Sequence, residues 1–346
     1  MPTDSAVPDQ AFDLGLALAL TDARSRPNLG PLRFELRELG ALALNIKSLG
    51  YEIARSLATV LPQREGLVAR RVDLACKPCT QTDMESDWVA YWLGQLKIPV
   101  LFHRKLWEFA YLLQALHDAD LLRPGSSGLG FGCGAEPIGS YLASRRVETL
   151  VTDLEPEAMA AQGWRDSNQH AGSRDAAFHA HLVERGAFDA LVAHRFVDMN
   201  AIPEDLSGFD FCWSICALEH LGTLENGLAF VRNAMRTLKP GGLAVHTTEF
   251  NFLDEEHTID NWPTVLYQRA HFERLADVLR ADGHRVAPLD FDTGSKPLDR
   301  FIDLPPYEHD WTAAMRVHFG GESRHLKLSI DGFAATCFGL VVSRGP

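Results

Sequence analysis

The chain has 346 residues, enough for two domains or one with a large appendage, and long enough to bury a core without disulfides or metals. Hydrophobic residues at 46% and charged residues at 23% describe an ordinary globular protein. Acidic residues outnumber basic ones by 46 to 33, for a net charge of −13. That balance argues against sequence-blind nucleic-acid binding and against an anionic membrane surface.

No apolar run reaches the length of a membrane span, and Met1-Pro2-Thr3-Asp4-Ser5 has no positive leader region. The expectation is a cytoplasmic protein with no membrane partner. Six scattered cysteines fit a reducing compartment. Cys76 and Cys79 form a lone C-x-x-C without the second half of a zinc site, and read as ordinary thiols.

In chain order, residues 1–30 carry Pro2, Pro8, Pro27 and Gly30 and read as a loose lead-in. Leu39, Leu42, Ile46, Leu49, Ile53, Leu57 and Val60 then recur at spacings of three and four until Pro62. This is an amphipathic helix, expected to pack within its own domain. Its near-heptad spacing leaves a homodimer through residues 34–61 as the alternative. Two more helices are expected between Asp87 and Leu122, joined around Lys97-Ile98-Pro99. The second opens on His103, Arg104, Lys105, Trp107 and Glu108. Residues 31–125 thus form a helical region that Arg123-Pro124-Gly125 ends.

From residue 126 the pattern alternates. Strands are expected at 128–131, 148–153, 195–198, 209–214, 243–248 and 284–291, with a closing strand near 333–342. Helices are expected at 136–144, 155–168, 224–238 and 271–281. Strand–helix alternation of this kind calls for a parallel sheet with helices on both faces, an α/β fold.

Between the first strand and its helix lies Gly130-Phe131-Gly132-Cys133-Gly134-Ala135-Glu136-Pro137. Glycines there permit positive φ and close ligand approach beside a helix N-terminus. Asp153 ends the next strand, 21 residues after Gly132, a position suited to ribose hydroxyls. A dinucleotide and S-adenosylmethionine both fit. The dinucleotide pattern G-x-G-x-x-G puts its third glycine at Pro137 when counted from Gly132, and at Ala135 when counted from Gly130. The turn alone leaves both ligands open.

Across about residues 128–250 the chain resembles the class I S-adenosylmethionine-dependent methyltransferases, through several motifs in order. Leu129-Gly130-Phe131-Gly132-Cys133-Gly134 resembles their first motif, Val151-Thr152-Asp153-Leu154 the second, and Val197-Asp198-Met199 the end of the third strand. The fourth strand is matched by Phe209-Asp210-Phe211 and Ser214, and the turn before the fifth by Leu238-Lys239-Pro240-Gly241-Gly242. The resemblance implies a Rossmann-like sheet of seven strands, the last antiparallel, over residues 126–346. It implies S-adenosylmethionine as cofactor, held by Gly130, Gly132, Gly134, Asp153, Leu154, Asp198, Met199 and Ser214, with the glycine turn facing its methionine part. Two departures stand out: Gly130 where the family has an acid, and Glu136 where it has a third glycine.

Methyl transfer to an alcohol needs in-line alignment and a base. Catalytic candidates after strands four and five are Glu219, His220 and Glu249. Glu219-His220 resembles the Glu-His pair of ubiquinone-pathway O-methyltransferases and small-RNA 2′-O-methyltransferases. In the latter a divalent metal is bound; here Glu219, His220 and His257 would be its ligands, but Cys216 replaces one carboxylate and metal-free catalysis is preferred. His246 reads as a satisfied sheet histidine. His103, Lys105 and Trp107 are candidate lid residues over the cofactor or acceptor, and Asp303 and Tyr307 candidate acceptor contacts. The expected activity is O-methylation of a small molecule, sugar or glycan precursor, or natural-product intermediate. The alternatives are RNA 2′-O-methylation, needing a basic patch around Arg55, Arg64, Arg70 and Arg71, or an inactive cofactor-binding scaffold. Acids at 254–256 and at Asp290, Asp292, Asp299 and Asp303 favour a neutral or cationic acceptor.

Overall fold

The structure, a computed structural model, describes residues 24, 26, 38–59, 61, 66–155 and 174–346. The lead-in, apart from Arg24 and Arg26, lies outside them, as do the helix expected at 155–168 and Val60, Pro62 and Arg64. The chain forms two compact units, Met1–Leu49 and Gly50–Pro346.

The strands are β1 (Lys77–Pro78), β2 (Ser127–Phe131), β3 (Glu148–Asp153), β4 (Val192–Phe196), β5 (Phe209–Ile215), β6 (Leu238–Asn251), β7 (Arg285–Val286), β8 (Ile302–Asp303), β9 (Lys327–Ile330) and β10 (Phe333–Ser343). Five of them run parallel in the order β4-β3-β2-β5-β6, and β10 lies antiparallel beside β6. This is the doubly wound α/β arrangement, with the antiparallel strand where it was expected. Such sheets place their sites beyond the carboxyl ends of the parallel strands, where the order reverses, here between β2 and β5.

The helices are α1 (Leu39–Thr59), α2 (Gln81–Met84), α3 (Asp87–Gln95), α4 (Arg104–Asp118), α5 (Ile138–Ser144), α6 (Arg185–Leu191), α7 (Leu224–Ala234), α8 (Arg269–Ala281), α9 (Pro297–Arg300) and α10 (Ala313–Phe319). Their starts follow local chemistry. Ser86 accepts the Val89 N–H at 3.3 Å to begin α3, and Thr223 accepts the Asn226 N–H at 3.1 Å to begin α7.

Alternation along the strands divides the core in two. Phe211, Trp213 and Ile215 of β5 pack on one face with Leu113 and Leu116 of α4 and Leu142 of α5. Leu129 and Phe131 of β2, with Cys212 and Ala244, pack on the other with Phe230 and Val231 of α7 and Phe272 and Leu279 of α8.

Several expected bounds moved. The third strand begins at Val192, three residues early, because it follows directly on α6 and pairs from Val192 to Thr149. The fifth begins at Leu238, opposite Phe209, and extends through Asn251, since it pairs with β10 from Leu243 to Asn251. The sixth shrinks to Arg285–Val286. Pro288 has no N–H to continue a ladder, and the Pro288 carbonyl instead accepts the Cys76 N–H at 2.8 Å. Lys77 and Pro78 then take the place against Gly339 and Phe338 of β10. The segment before residue 125 thus contributes a strand to the sheet as well as helices, and covers an edge that would otherwise expose unpaired backbone groups.

For α1 the expected apolar stripe is the packed one only in part: Leu57 packs against the core. Leu39, Leu42, Leu49 and Ile53 are exposed, whereas Gly50, Tyr51 and Ala54 are buried. Periodicity identified the helix but only part of the face that packs. A β-carbon on Gly50 would meet the Phe301 ring at 2.2 Å, so the packed face is set by the absence of a side chain. No helix of the described residues is long and apolar enough to cross a membrane.

Candidate active site

The glycine turn leaves β2 with Gly132 at φ 60° and Gly134 at φ 51°, conformations that favour glycine. Backbone bonds tie it to the end of β3. Cys133 donates to the Thr152 carbonyl at 3.0 Å, and Gly134 donates to Asp153 Oδ2 at 3.2 Å. The other Asp153 oxygen accepts the Leu154 N–H at 2.9 Å. Asp198, exposed at the end of β4, caps the next turn by accepting the Asn200 N–H at 2.8 Å, and Met199 behind it is buried. A β-carbon on Gly132 would lie 3.5 Å from Met199 Sδ. The turn, Asp153 and Asp198–Met199 therefore line up along three neighbouring strand ends, the order that the sequence implied.

Two of the expected cofactor residues occupy interior positions. Ser214 is fully buried, and its hydroxyl bonds the His246 ring at 2.8 Å within the sheet. Burial pushes His246 down to about 3, so this is a neutral structural histidine, as expected. Gly130 has no room for a side chain: its β-carbon would stand 2.3 Å from Cys133 Sγ and 2.4 Å from the Trp213 ring.

Beside the turn the structure assembles a partly buried charged cluster from three directions, with Glu108, Glu219 and Glu249 at its buried centre. Helix α4 brings Arg104, Lys105 and Glu108, the glycine turn brings Glu136, and the ends of β5 and β6 bring Cys216, Glu219 and Glu249. Arg104 pairs with Glu249. Lys105 Nζ stands 3.8 Å from Glu108 and 3.7 Å from Glu136. Thr247 of β6 donates to Glu108, and Thr248 donates to Glu219 Oε2 at 3.0 Å. Burial opposes the Lys105 charge, but Glu108, Cys216 and Glu136 outweigh it and raise its pKa. Desolvation pushes Glu136 and Glu219 up to about 8 each; at Glu136 it outweighs the opposing Lys105 charge, and at Glu219 the neighbouring Glu249 adds to it. Both therefore hold protons through neutral pH, which tempers the negative charge of four carboxyls facing two cations.

Those protons make stability pH-dependent. A carboxyl raised from 4.5 to about 8 favours the fold fully below 4.5, and that contribution is lost as pH climbs through 8. Glu219→Gln keeps the shape and removes the titration. Its unfolding free energy should gain on the parent's as pH rises from 4.5 to 8, by at most about 1.4 kcal/mol per pH unit. Denaturant melts at pH 5, 7 and 9 read the difference, and parallel curves would rule the shift out.

His220 lies in a single turn, Leu218–His220, half-buried after β5. Its Nδ1 bonds the Pro263 carbonyl at 3.0 Å. A carbonyl only accepts, so Nδ1 carries the proton and the lone pair sits on Nε2, 4.0 Å from Glu219 Oε1. His257 does not join this pair. Among the described residues one group of three potential ligands has atoms within 4.8 Å of one another, and it is Cys216, Glu219 and Glu249. Arg104 already engages that group through Glu249.

On the acceptor side the expectations divide. His103 caps α4, its Nδ1 accepting the Lys105 N–H at 3.1 Å, and burial together with His325, Arg104 and Lys105 holds it neutral. Its ring lies 4.9 Å from that of His325. Asp303 is fully buried, accepting from Tyr51 at 3.0 Å and bonding His325 Nδ1 at 2.7 Å. Tyr307 donates to the Ser329 carbonyl and packs 6.1 Å from His325. Trp107, expected on a lid, is instead a core residue: it is fully buried, stacks on Tyr111 and donates to Asp83 at 3.0 Å. Asp299 likewise turns inward, accepting the Gln81 N–H at 2.7 Å. Asp299 and Asp303 thus serve internal bonds rather than a charged mouth.

Of the residues that meet here, His325 is the one the sequence did not single out; Glu108 lies in the stretch from His103 read as a candidate lid. Glu108 carried a signal, since it lies one turn from Arg104 and Lys105. His325 follows Gly320-Gly321 in a stretch without periodicity and had none.

Residues 129–246 match a family described as "Methyltransferase domain". Among curated proteins the chain is similar to the malonyl-[acyl-carrier protein] O-methyltransferase of Salmonella typhimurium, 29% identical over 138 residues. The match covers 38% of this chain and 45% of that protein, so the chain spans less than half the length of the curated relative. Among solved structures it is similar to the [4+2]-cyclase SpnF, with a TM-score of 0.40 and 16% identity over 79% of this chain and 99% of that one. A sarcosine dimethylglycine methyltransferase of Galdieria sulphuraria gives a TM-score of 0.39 and 15% identity, covering 68% of this chain and 83% of that one. Phosphoethanolamine N-methyltransferase 2 of Haemonchus contortus, solved with S-adenosyl-L-methionine, gives 0.39 and 14%, covering 68% and 52%.

Proposed function

We infer that this chain, whose residues 129–246 form a class I S-adenosylmethionine-dependent methyltransferase domain, methylates an oxygen of a small molecule, sugar or glycan precursor, or natural-product intermediate. The observation that carries the reading is the bond from Gly134 N–H to Asp153, which fixes an open glycine turn against a carboxylate at the next strand end. Such a turn admits the cofactor's backbone contacts, and the carboxylate accepts from its ribose. Met199 and Asp198 then flank the adenine. The cofactor supplies an electrophilic methyl group on a sulfonium; the chain has to bind it, orient the acceptor and take a proton.

His220 is our choice for the base. With the proton on Nδ1 fixed by Pro263, Nε2 is the nitrogen that receives the acceptor's hydrogen. Glu219 beside it and Glu249 complete the acidic wall of the site. An oxygen acceptor is in keeping with the relative named as an O-methyltransferase. Arg55 and Arg71 bond within the fold, to Phe319 and Asp118, which weighs against a basic track for RNA.

The test is transfer of labelled methyl groups from S-adenosylmethionine into fractionated lysate. Label should enter a low-mass, ribonuclease-resistant product. His220→Gln should lower kcat by about 10²–10⁴-fold with little change in KM. Label in RNA would replace this acceptor class, and binding without any turnover would leave a scaffold.

A further inference from the structure

The amino-acid end of S-adenosylmethionine carries an ammonium and a carboxylate on one carbon. A site for it therefore needs a positive and a negative group side by side, out of water. The described residues hold such a set directly beside the glycine turn. Lys105 Nζ lies 3.7 Å from Glu136 and 3.8 Å from Glu108, two carboxyls that approach it from different elements. The Glu108 side chain is 1% exposed, that of Glu136 14% and that of Lys105 32%, so the two carboxyls are the shielded part of the set and the lysine is half-buried. Each carboxyl keeps one oxygen buried with no hydrogen-bond partner, Glu108 Oε1 and Glu136 Oε2. Buried polar atoms nearly always find a partner, and two such acceptors flanking one lysine point to a missing donor. An ammonium brings three N–H donors.

We propose that Glu136 and Glu108 receive the α-ammonium of S-adenosylmethionine while Lys105 receives its carboxylate, so that helix α4 forms half of the clamp on the cofactor's amino-acid end. The inference rests on the methyltransferase reading above. It also accounts for the position of Glu136, two residues past Gly134, where a carboxylate meets whatever the turn admits. Glu136 feels Asp153 as well as Glu108, and an arriving positive charge lets it release its proton.

Three ligands separate the outcomes by calorimetric titration: S-adenosylmethionine, S-adenosylhomocysteine and 5′-methylthioadenosine, which lacks the amino-acid end. Glu136→Gln and Lys105→Met should each weaken the first two at least about tenfold. Both should leave methylthioadenosine within about twofold, which also reports that the variants are folded. Equal losses for all three ligands, or no loss for any, would overturn the clamp. Failure of the unaltered protein to bind any of the three would instead sink the cofactor reading, and the clamp with it.

Discussion

Replacing Gly130 with alanine should destabilise the protein by about 2–3 kcal/mol, the upper part of the usual range for overpacking a core. The added methyl would stand 2.3 Å from Cys133 Sγ and 2.4 Å from the Trp213 ring. Neither neighbour can step aside. Trp213 is 1% exposed in the centre of the sheet, flanked by Phe211, and Cys133 is buried on a backbone tied to Thr152. The same geometry explains why this chain lacks an acid there: Trp213 fills the space an acid would use. Gly130→Asp should therefore do worse than alanine, because it adds a buried carboxylate to the clash. Chemical denaturation measures both, with Gly94→Ala as the control. Gly94 is exposed in α3 with nothing within 4 Å, so its replacement should raise stability by about 0.5–1 kcal/mol. A Gly130→Ala variant as stable as the parent would mean that Trp213 and Cys133 yield to the methyl group.

Glycine was thus readable in two senses, of which only one is visible in sequence. Gly132 and Gly134 signal a turn because they interrupt a strand–helix junction, and both have positive φ. Gly130 looks like part of the same motif, yet it is there to seat an aromatic ring from another strand. The parallel strands were legible for a related reason: β2, β3 and β5 carry apolar residues flanked by turn signals, and burial on both faces demands them. Elements that exist through partners distant in the chain left no local mark. β8 and β9 pair only with each other and with the start of β10, and β1 is two residues long.

A similar division runs through the site. Asp153 stands at a strand end at a fixed spacing from Gly132, so counting finds it, and Asp198 at the end of the next strand is found by the resemblance of Val197-Asp198-Met199 to the family's third-strand segment. The cluster of Arg104, Lys105, Glu108 and Glu136 depends on α4 packing over the turn, a tertiary fact. Trp107 shows the error that follows: the residues at the start of α4 read as one polar lid, but a helix turns 100° per residue and sends Trp107 inward to Asp83. The net charge of −13 changes meaning accordingly. Glu219 is buried and Glu136 half-buried, both with pKa values raised to about 8, Asp299 and Asp303 are bonded inside, and the acidity that bears on chemistry is the wall beside the glycine turn.

Asp153→Ala should weaken S-adenosylmethionine binding by about 10²–10³-fold. A carboxylate offers about four acceptor sites, enough to hold backbone N–H groups and meet ribose hydroxyls. Each hydrogen bond to a charged acceptor is worth about 1.5–3 kcal/mol, so losing two removes at least about 3 kcal/mol of affinity. A further part comes from the turn itself, since Gly134 loses the oxygen that anchors it at 3.2 Å. Asp153→Asn separates the two contributions: its one carbonyl oxygen can keep either the turn or the ribose. It should fall between alanine and the parent. Asp198→Ala should cost about tenfold at most, because Asp198 is exposed and accepts from Asn200 of its own turn. Titration calorimetry of the three variants ranks them. If Asp198→Ala proves the more damaging, or if Asp153→Ala binds as the parent does, the ribose is held elsewhere and the ligand does not lie along the strand ends in the order assigned here.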